Sequence, residues 1–379
     1  MFLFSTLFSI LLILVKKLAH RITYKSYCYE GSESYTVGQK IKKNCNTCEC
    51  RKTAPKKFEF VCENKPCLIQ PKLNDVINRG NYGWRAANYS FFWGRTLEYG
   101  IRYRLGTFKP YRETMHMNEI RTVDRRPLPE SFDSRRRWPR MIQEIRDQGE
   151  CGSSWAFSSS ALASDRRAIQ SRGRERITLS PQHLISCNTR GQQGCEGGHI
   201  DRAWWFLRNQ GLTSDQCYPY TSGHSGHKGH CRIPRGRHKR FRCPSGIQDE
   251  QYRSTPPYRV GPSEEDIMHE IYNNGPVQAT FRVMQDFFSY SSGIYRKLPV
   301  TNTNPTNQGW HSVRIIGWGV EKSGGRQKKY WVCANSWGTG WGEDGYFRIN
   351  RGQNECDIET FIVGVWAKRN HLRRTRRRF

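Results

Sequence analysis

The densest feature of the sequence is a group of six cysteines between residues 28 and 67. They are Cys28, Cys45, Cys48, Cys50, Cys62 and Cys67. Few large apolar residues accompany them, so this short polar segment cannot bury enough apolar surface to fold by itself. Cross-links have to replace the missing core. We therefore predict a small cysteine-rich module over residues 28–67.

The whole chain has 14 cysteines in 379 residues, and their clustering is typical of disulfides formed in an oxidising compartment. Zinc is the alternative for the Cys45-x-x-Cys48 spacing, although no matching histidine or second Cys-x-x-Cys pair follows it. A secreted context favours disulfides. We expect no metal and no other cofactor.

The start of the chain indicates export. Residues 2–15 form one apolar run that is too short for a membrane-spanning helix, which needs about 20 residues, and suits the core of a signal peptide. We expect a signal peptide over residues 1–19 and a glycosylated Asn88 in the sequon Asn-Tyr-Ser. The basic residues Lys16 and Lys17 follow the run instead of preceding it, so a membrane anchor is the alternative.

The charge balance is strongly basic, with 62 Lys plus Arg against 33 Asp plus Glu and a formal net charge of +29. The positive electrostatic field of such a chain attracts polyanions. Two runs concentrate the charge, one between Cys231 and Cys243 and one in a basic tail over residues 368–379. Their candidate binding residues are Arg232, Arg235, Arg237, Lys239, Arg240, Arg242, Arg373, Arg374, Arg376, Arg377 and Arg378.

These runs predict a heparin-like patch. Nucleic acid would satisfy the same electrostatics, but secretion favours heparan sulfate or another matrix polyanion, and no nucleic-acid partner is expected. A solvated charge run without a ligand is the alternative.

With 36% hydrophobic and 13% aromatic residues, the rest of the chain can bury a sizeable core, which excludes wholesale disorder. Residues 72–127 contain no cysteine and many aromatic residues, Trp84 and Trp93 among them. This is too many aromatics for a solvated linker, so we expect the segment to pack against other parts of the chain.

The candidate catalytic residues lie in four short strings of the region after residue 127. They are Gln148-Gly-Glu-Cys-Gly-Ser-Ser154-Trp-Ala-Phe157, Cys195-Glu-Gly-Gly198, the run from Gly309 to Gly319 that contains His311, and Ala334-Asn335-Ser-Trp-Gly338. With these strings, residues 128–367 resemble a papain-family cysteine peptidase of the cathepsin B branch. The resemblance implies an α+β fold of two lobes, one helical and one built on a β-barrel-like sheet, with a cleft between them.

In that family a cysteine at the start of a long helix attacks the peptide carbonyl. The helix N-terminus and an imidazolium stabilise its thiolate, an asparagine orients the imidazole, and a glutamine donates to the oxyanion. Matched by position, the resemblance implies Gln148 as oxyanion donor, His311 as base and Asn335 as orienting residue. The nucleophile position holds Ser154.

This replacement predicts a catalytically inactive protein. A helix dipole and a histidine can lower the pKa of a thiol from about 8.5 far enough for a thiolate–imidazolium ion pair to exist at neutral pH. The pKa of a hydroxyl cannot be lowered that far. Loss of a triad member typically costs several powers of ten in rate. The alternatives are a hydrolase with residual activity through Ser154 and His311, or a sequence change in a live enzyme.

The full arrangement resembles the tubulointerstitial nephritis antigen family, which combines a cysteine-rich module, an aromatic segment and a cathepsin B-like domain with serine at the nucleophile position. The most specific strings are Asn81-Tyr-Gly-Trp84, Gly100-Ile-Arg-Tyr-Arg-Leu-Gly-Thr107 and Asn354-Glu-Cys-Asp-Ile-Glu359. The cysteine-rich module itself resembles the first half of a von Willebrand factor type C module.

This resemblance implies a secreted basement-membrane glycoprotein of the extracellular matrix without peptidase activity. Its implied role is adhesion or scaffolding, with laminin, collagen or integrin-type partners. A soluble polyanion-binding or innate-defence protein is the competing class.

The cathepsin B resemblance also implies three disulfides, Cys151–Cys195, Cys187–Cys231 and Cys217–Cys243. Cys333 and Cys356 are then left over, and we expect free buried thiols rather than a mutual bridge.

An adjacent histidine pair, which grips a substrate carboxylate in the peptidase relatives, is missing from the loop between Cys217 and Cys231. The loop holds only His224, His227 and His230, for which a solvated loop and a zinc or copper site are the alternatives.

Two further positions follow from the family pattern. Residues 72–127 occupy the place of the inhibitory propeptide, and with no nucleophile to mask we expect this propeptide-like segment to stay as a permanent part of the fold. Glu359 matches the floor of a specificity pocket, and a locally hydrogen-bonded carboxylate is the alternative.

Overall fold

The chain divides into two units in the computed structural model, one ending at Cys67 and one beginning at Leu68. The structure describes residues 27–122, 126–234, 240–299, 308–323 and 325–368. The expected signal peptide lies outside the described residues. So do Arg235, Arg237, Lys239, Arg373, Arg374, Arg376, Arg377 and Arg378 of the basic runs.

The first unit is built from short antiparallel strands. β1 and β2 form a hairpin, and β3, β4 and β5 form a three-stranded sheet in that order. The strands are β1 Tyr27–Glu30, β2 Glu33–Thr36, β3 Lys40–Lys43, β4 Asn46–Ala54 and β5 Lys57–Cys62.

Disulfides hold this unit together. All six cysteines are paired, as Cys28–Cys50, Cys45–Cys67 and Cys48–Cys62, which excludes a zinc site made from their thiolates. Within residues 27–67 every buried residue is a cysteine. The cross-links therefore form the interior that the sequence could not supply from apolar side chains.

The second unit begins with the aromatic segment. Helix α1 starts with Pro71, whose fixed φ suits a first helical turn, and α2 is capped by Thr96, whose side chain accepts a hydrogen bond from the Tyr99 amide. The elements are α1 Pro71–Arg79, β6 Trp84–Ala86, α2 Leu97–Arg104, β7 Glu119–Ile120, β8 Phe132–Asp133 and α3 Ser134–Arg137.

A helical lobe follows, centred on the long helix that begins at Ser154. Its apolar core includes Trp155, Leu162, Trp204 and Leu207. The helices and two short strands of this part are α4 Ser154–Gln170, α5 Pro181–Cys187, α6 Ile200–Asn209, α7 Ser222–Ser225, β9 Phe241–Arg242 and β10 Gln248–Asp249.

The other lobe is a ten-stranded sheet with the order β6-β13-β16-β15-β14-β12-β17-β11-β7, and β8 pairs with β14. Its remaining elements are β11 Tyr258–Val260, α8 Glu264–Asn274, β12 Val277–Val283, β13 Tyr290–Tyr295, β14 Gly309–Ser323, β15 Arg326–Ala334, β16 Tyr346–Asn350 and β17 Ile362–Gly364. Pairing is antiparallel except between β13 and β16 and between β11 and β7.

The aromatic segment packs on this sheet lobe. β6 pairs with β13, and Leu68, Ile77, Trp84 and Phe92 belong to the same buried cluster as the sheet. The prediction that the segment packs instead of forming a solvated linker is confirmed by these contacts. Within it Trp84 is buried, whereas Trp93 is 48% exposed.

The second unit contains three disulfides among its described residues, Cys151–Cys195, Cys187–Cys231 and Cys217–Cys243. These are the pairs that the resemblance implied. Cys333 and Cys356 are unpaired and buried, as expected. No helix in the described part of the chain is long and apolar enough to cross a membrane.

Candidate active-site cleft

Ser154 lies between the lobes as the first residue of α4, and it is fully buried. Its Oγ lies 2.8 Å from Thr107 Oγ1 and accepts a 3.4 Å hydrogen bond from the Ser312 amide on β14. The approach to the helix needs glycine at residue 152, because a Cβ there would lie 2.4 Å from the Arg102 carbonyl oxygen.

His311 and Asn335 come from the neighbouring strands β14 and β15. His311 Nε2 and Asn335 Oδ1 are 2.7 Å apart, which is the orienting contact expected from the resemblance. His311 Nδ1 is buried and has no hydrogen-bond partner among the described residues. Burial lowers the pKa of His311 to about 4, and the bond to Asn335 opposes this shift only in part. The imidazole is therefore neutral at physiological pH.

Ser154 and His311 are not hydrogen-bonded to each other in this structure. A general base has to come within hydrogen-bond reach of the proton that it removes. The serine hydroxyl is instead paired with Thr107, and the histidine nitrogen that is free of Asn335 has no partner in the described chain.

Gln148, to which the resemblance assigns the role of oxyanion donor, is buried, and its side-chain donors are already in use. Its Nε2 donates to the carbonyl oxygens of Leu105, Cys151 and Tyr103 at 3.0, 3.0 and 3.1 Å. The Ser154 amide also donates to the Leu105 oxygen, at 3.2 Å. The Leu105 carbonyl thus lies between the two donors that would stabilise an oxyanion.

The residues after Leu105 cross the cleft as an extended strand that touches both lobes. The Thr107 amide donates to Trp310 O at 3.2 Å, and the Phe108 amide donates to Gly198 O at 2.9 Å. This strand runs parallel to Gly198 and antiparallel to Trp310. Glycine is required at residue 106, where φ is +106° and a Cβ would lie 2.1 Å from the Gly152 backbone.

His199 covers the far end of this strand, and sequence reasoning did not select it. Tyr111 stacks on the His199 ring with 4.4 Å between centroids, and its hydroxyl is 3.0 Å from His199 Nε2. Burial lowers the pKa of His199. Leu105 and Thr107, which fill the site, both lie in the family string from Gly100 to Thr107.

Two other family positions have local roles. Glu359 is buried and accepts hydrogen bonds from Trp331 Nε1, the Gly352 amide and the Asn354 amide at 2.7 to 2.8 Å. This favours the reading of a locally bonded carboxylate. Arg232, Arg240 and Arg242 are exposed.

The three loop histidines, His224, His227 and His230, are exposed. The one group of three potential metal ligands found in the described residues joins Cys217, Cys243 and Asp249. Both of its cysteines are in a disulfide, so it offers no thiolate.

The chain matches the family described as papain family cysteine protease over residues 128–366. It is 48% identical over 359 residues to the tubulointerstitial nephritis antigen-like protein of Mus musculus, covering 90% of this chain and 76% of that protein. It is 43% identical to the tubulointerstitial nephritis antigen of Homo sapiens, covering 91% and 74%. The chain belongs to the papain family and, within it, to the tubulointerstitial nephritis antigen family.

The chain is also similar to cathepsin B-like proteins. Cathepsin B-like CP3 of Giardia intestinalis is 39% identical over 244 residues, 64% of this chain and 76% of that protein. The structure of proCathepsin B S9 from Trypanosoma congolense matches with a TM-score of 0.69 and 32% identity, over 80% of this chain and 99% of that one. The predicted papain-like α+β fold is confirmed. This structural match covers 80% of the chain, which is more than residues 128–366 make up. The likeness therefore includes part of the segment before residue 128.

The disulfides and the tubulointerstitial nephritis antigen relatives together indicate an extracellular protein.

Proposed function

We propose that this protein is a secreted, catalytically inactive member of its family that acts in adhesion or scaffolding in the extracellular matrix. The observation that carries the loss of activity is the hydrogen bonding of Ser154, whose hydroxyl pairs with Thr107 and not with His311. The nucleophile position has become a structural contact between the α4 N-terminus and the segment that fills the cleft.

The chemistry of the remaining groups supports this proposal. Catalysis in the family needs a thiolate paired with an imidazolium. Here a hydroxyl replaces the thiol, and burial holds the pKa of His311 at about 4. Neither half of the ion pair forms at neutral pH, and the Leu105 carbonyl occupies both oxyanion donors.

The segment that fills the cleft is built into the fold. Ile77, Trp84 and Phe92 are buried in the core of the sheet lobe, and Arg104 at the end of α2 pairs with Asp147 at 2.6 Å. Removing the segment would expose this apolar surface to water. A cleft closed in this way offers no groove for a peptide, so function falls to the outer surfaces.

The matrix role rests on resemblance and on the extracellular context. The family resemblance implies basement-membrane partners of the laminin, collagen or integrin type. The exposed arginines between Cys231 and Cys243 and the basic tail add heparan sulfate as a partner. Asn88 is exposed and accepts a hydrogen bond from Asn74, so it is accessible as the glycosylation site.

Residual hydrolysis through Ser154 and His311 is the second candidate. It is favoured by one observation: His311 Nε2 and Asn335 Oδ1, the pair that the resemblance assigns to the base and its orienting residue, are in hydrogen-bond contact at 2.7 Å. The same contact equally satisfies one buried polar atom of each residue, and such an atom costs about 1 to 3 kcal/mol if it is left unpaired.

Turnover of fluorogenic dipeptidyl substrates by the purified secreted protein tests the inactive site. We expect no turnover by the wild type, and none by Ser154→Cys while the segment fills the cleft. The double variant Ser154→Cys with Gly106→Val should cleave, because a side chain at residue 106 collides with the Gly152 backbone and expels the strand. Turnover by the wild type that Ser154→Ala abolishes would show that the protein is an enzyme.

The matrix role is tested separately by binding of the same protein to immobilised laminin, collagen and integrin ectodomains. The Ser154→Ala variant is the matched control, since it changes only the cleft and should bind as the wild type does. Absence of binding to all three surfaces would overturn the matrix role and leave the inactive site standing.

A further inference from the structure

Two surface segments of the second unit bring arginines together outside the cleft. One contains α3 and the residues up to Met141, and the other is the turn that follows α4. They touch where a Cβ on Gly173 would lie 3.0 Å from Met141 Cε. Arg140 precedes Met141, and Arg172 and Arg174 flank Gly173, so three arginines surround one contact.

The arginine patch is defined by the exposed members of both segments. They are Arg136, Arg137, Arg140, Arg172, Arg174 and Arg176. In the described chain none of them makes an ion pair, because the carboxylates on these segments are taken by other residues. Asp133 is paired with Arg135 at 2.7 Å, and Glu175 is paired with Arg167 at 2.6 Å.

The cations of the first unit differ from these arginines because they form ion pairs. There Lys43, Arg51, Lys57 and Lys65 each have a glutamate partner. A paired cation adds little to a long-range field, whereas six unpaired guanidinium groups leave a surface that attracts anions.

The backbone adds a second argument. Arg140 and Arg172 have φ of +61° and +54°, in the left-handed region where glycine or asparagine is less strained. Folding stability alone therefore does not favour arginine at these two positions. The guanidinium group of Arg174 is held in place by a hydrogen bond, since its Nε donates to the Ser171 carbonyl at 3.0 Å.

The residue type indicates the ligand. All six cations are arginine, whose planar guanidinium binds sulfate or carboxylate oxygens in a bidentate manner that lysine cannot copy. The cations lie on two surface segments that meet at the Gly173–Met141 contact, so a polyanion with several charged groups along its chain can bind more than one of them.

We propose that the arginine patch binds a sulfated glycosaminoglycan chain of the heparan sulfate class. The choice of ligand rests on the proposed extracellular function, and the site is separate from the basic loop between Cys231 and Cys243 and from the tail.

The test uses the full secreted chain and a heparin octasaccharide as the probe, at 0.15 M NaCl. The variant Arg140→Gln/Arg172→Gln/Arg174→Gln should weaken binding about tenfold or more, because three charge-assisted contacts are lost. The matched control is Arg112→Gln/Arg190→Gln/Arg208→Gln, which removes the same charge from exposed arginines elsewhere. We expect less than a twofold change for the control.

Equal weakening by both triple variants would overturn the proposal, because binding would then follow net charge alone. Unchanged binding by the patch variant, with loss when the tail arginines become glutamine, would place the site in the tail instead. Equal competition by a single-stranded DNA of the same charge would overturn the ligand class. None of these outcomes depends on laminin, collagen or integrin binding, so failure of the proposed matrix role remains distinguishable.

Folding of the variants is controlled through the strained backbone. Arg140→Gly and Arg172→Gly relieve the left-handed strain, so their melting temperatures should equal or exceed that of the wild type. Weaker octasaccharide binding by these stable variants would separate loss of the site from loss of the fold. Wild-type affinity in both of them would count against the patch.

Discussion

The interiors of the two units are stabilised in different ways. In residues 27–67 every buried residue is a cysteine, and three disulfides replace a core. In the sheet lobe of the second unit the described cysteines, Cys333 and Cys356, are unpaired. That lobe is instead filled by aromatic side chains such as Phe287, Trp337 and Trp341.

The difference teaches where cross-links are needed. A short polar segment gains stability by losing freedom in the unfolded state, while a long one gains it by removing apolar surface from water. Burial also raises the pKa of the Cys333 and Cys356 thiols, so these thiols are poor nucleophiles and poor sites for exchange.

The largest expected effect is removal of a central aromatic side chain from the sheet lobe. Trp337 stacks on Phe288 with 5.1 Å between centroids and also contacts His311. Trp337→Ala should lower the free energy of unfolding of the second unit by about 3 to 5 kcal/mol, measured by urea denaturation. Trp93→Ala is the control, because its side chain is 48% exposed, and a change above about 0.5 kcal/mol there would contradict this view.

Removal of one disulfide from the first unit should have the next largest effect. Cys48→Ala/Cys62→Ala opens a link with a sequence separation of 14, which corresponds to about 3 kcal/mol. Residues 27–67 should then unfold while the second unit stays folded, as seen by hydrogen exchange. Cys333→Ala is the control, since it removes a free thiol, and protection of residues 27–67 in the double variant would refute the idea that disulfides replace the core.

Acidification should weaken the second unit through His311. Burial lowers the pKa of His311 to about 4 in the folded protein, below the 6.5 of an exposed histidine, so the unfolded state binds the proton more readily. The contribution is fully present above pH 6.5 and is lost as the pH falls toward 4. Between pH 7 and pH 5 it amounts to about 2 kcal/mol.

This pH dependence can be measured as the difference in unfolding free energy between pH 7 and pH 5 for the wild type and His311→Gln. The variant should show a smaller difference. Identical pH dependence in the two proteins would mean that His311 is not held neutral by burial.

The smallest expected effect concerns the contact between the hydroxyl groups of Thr107 and Ser154. Thr107→Val and Ser154→Ala each remove one side of the 2.8 Å hydroxyl contact, and each should cost about 1 kcal/mol. A double-mutant cycle should give a coupling energy of the same order. Additive effects would show that the two hydroxyls do not stabilise each other.

The local strings of the sequence were sufficient to predict much of this protein. The clustered cysteines predicted the disulfide-rich first unit, and the family resemblance carried by short strings implied the papain-like fold. The same resemblance assigned roles to Gln148, His311 and Asn335. Chain geometry explains this success, because a residue at the start of a helix or at one point of a strand is placed by its neighbours in sequence.

Only the tertiary structure determined what those residues do here. Leu105 lies more than 40 residues before Gln148 and Ser154, yet its carbonyl occupies both of their donors. Trp93 is as apolar as Trp84 but lies on the surface, and the arginine patch joins segments on either side of α4. Such contacts depend on how distant parts of the chain pack, because hydrogen bonds and charge interactions depend on distance in space, whatever the separation in sequence.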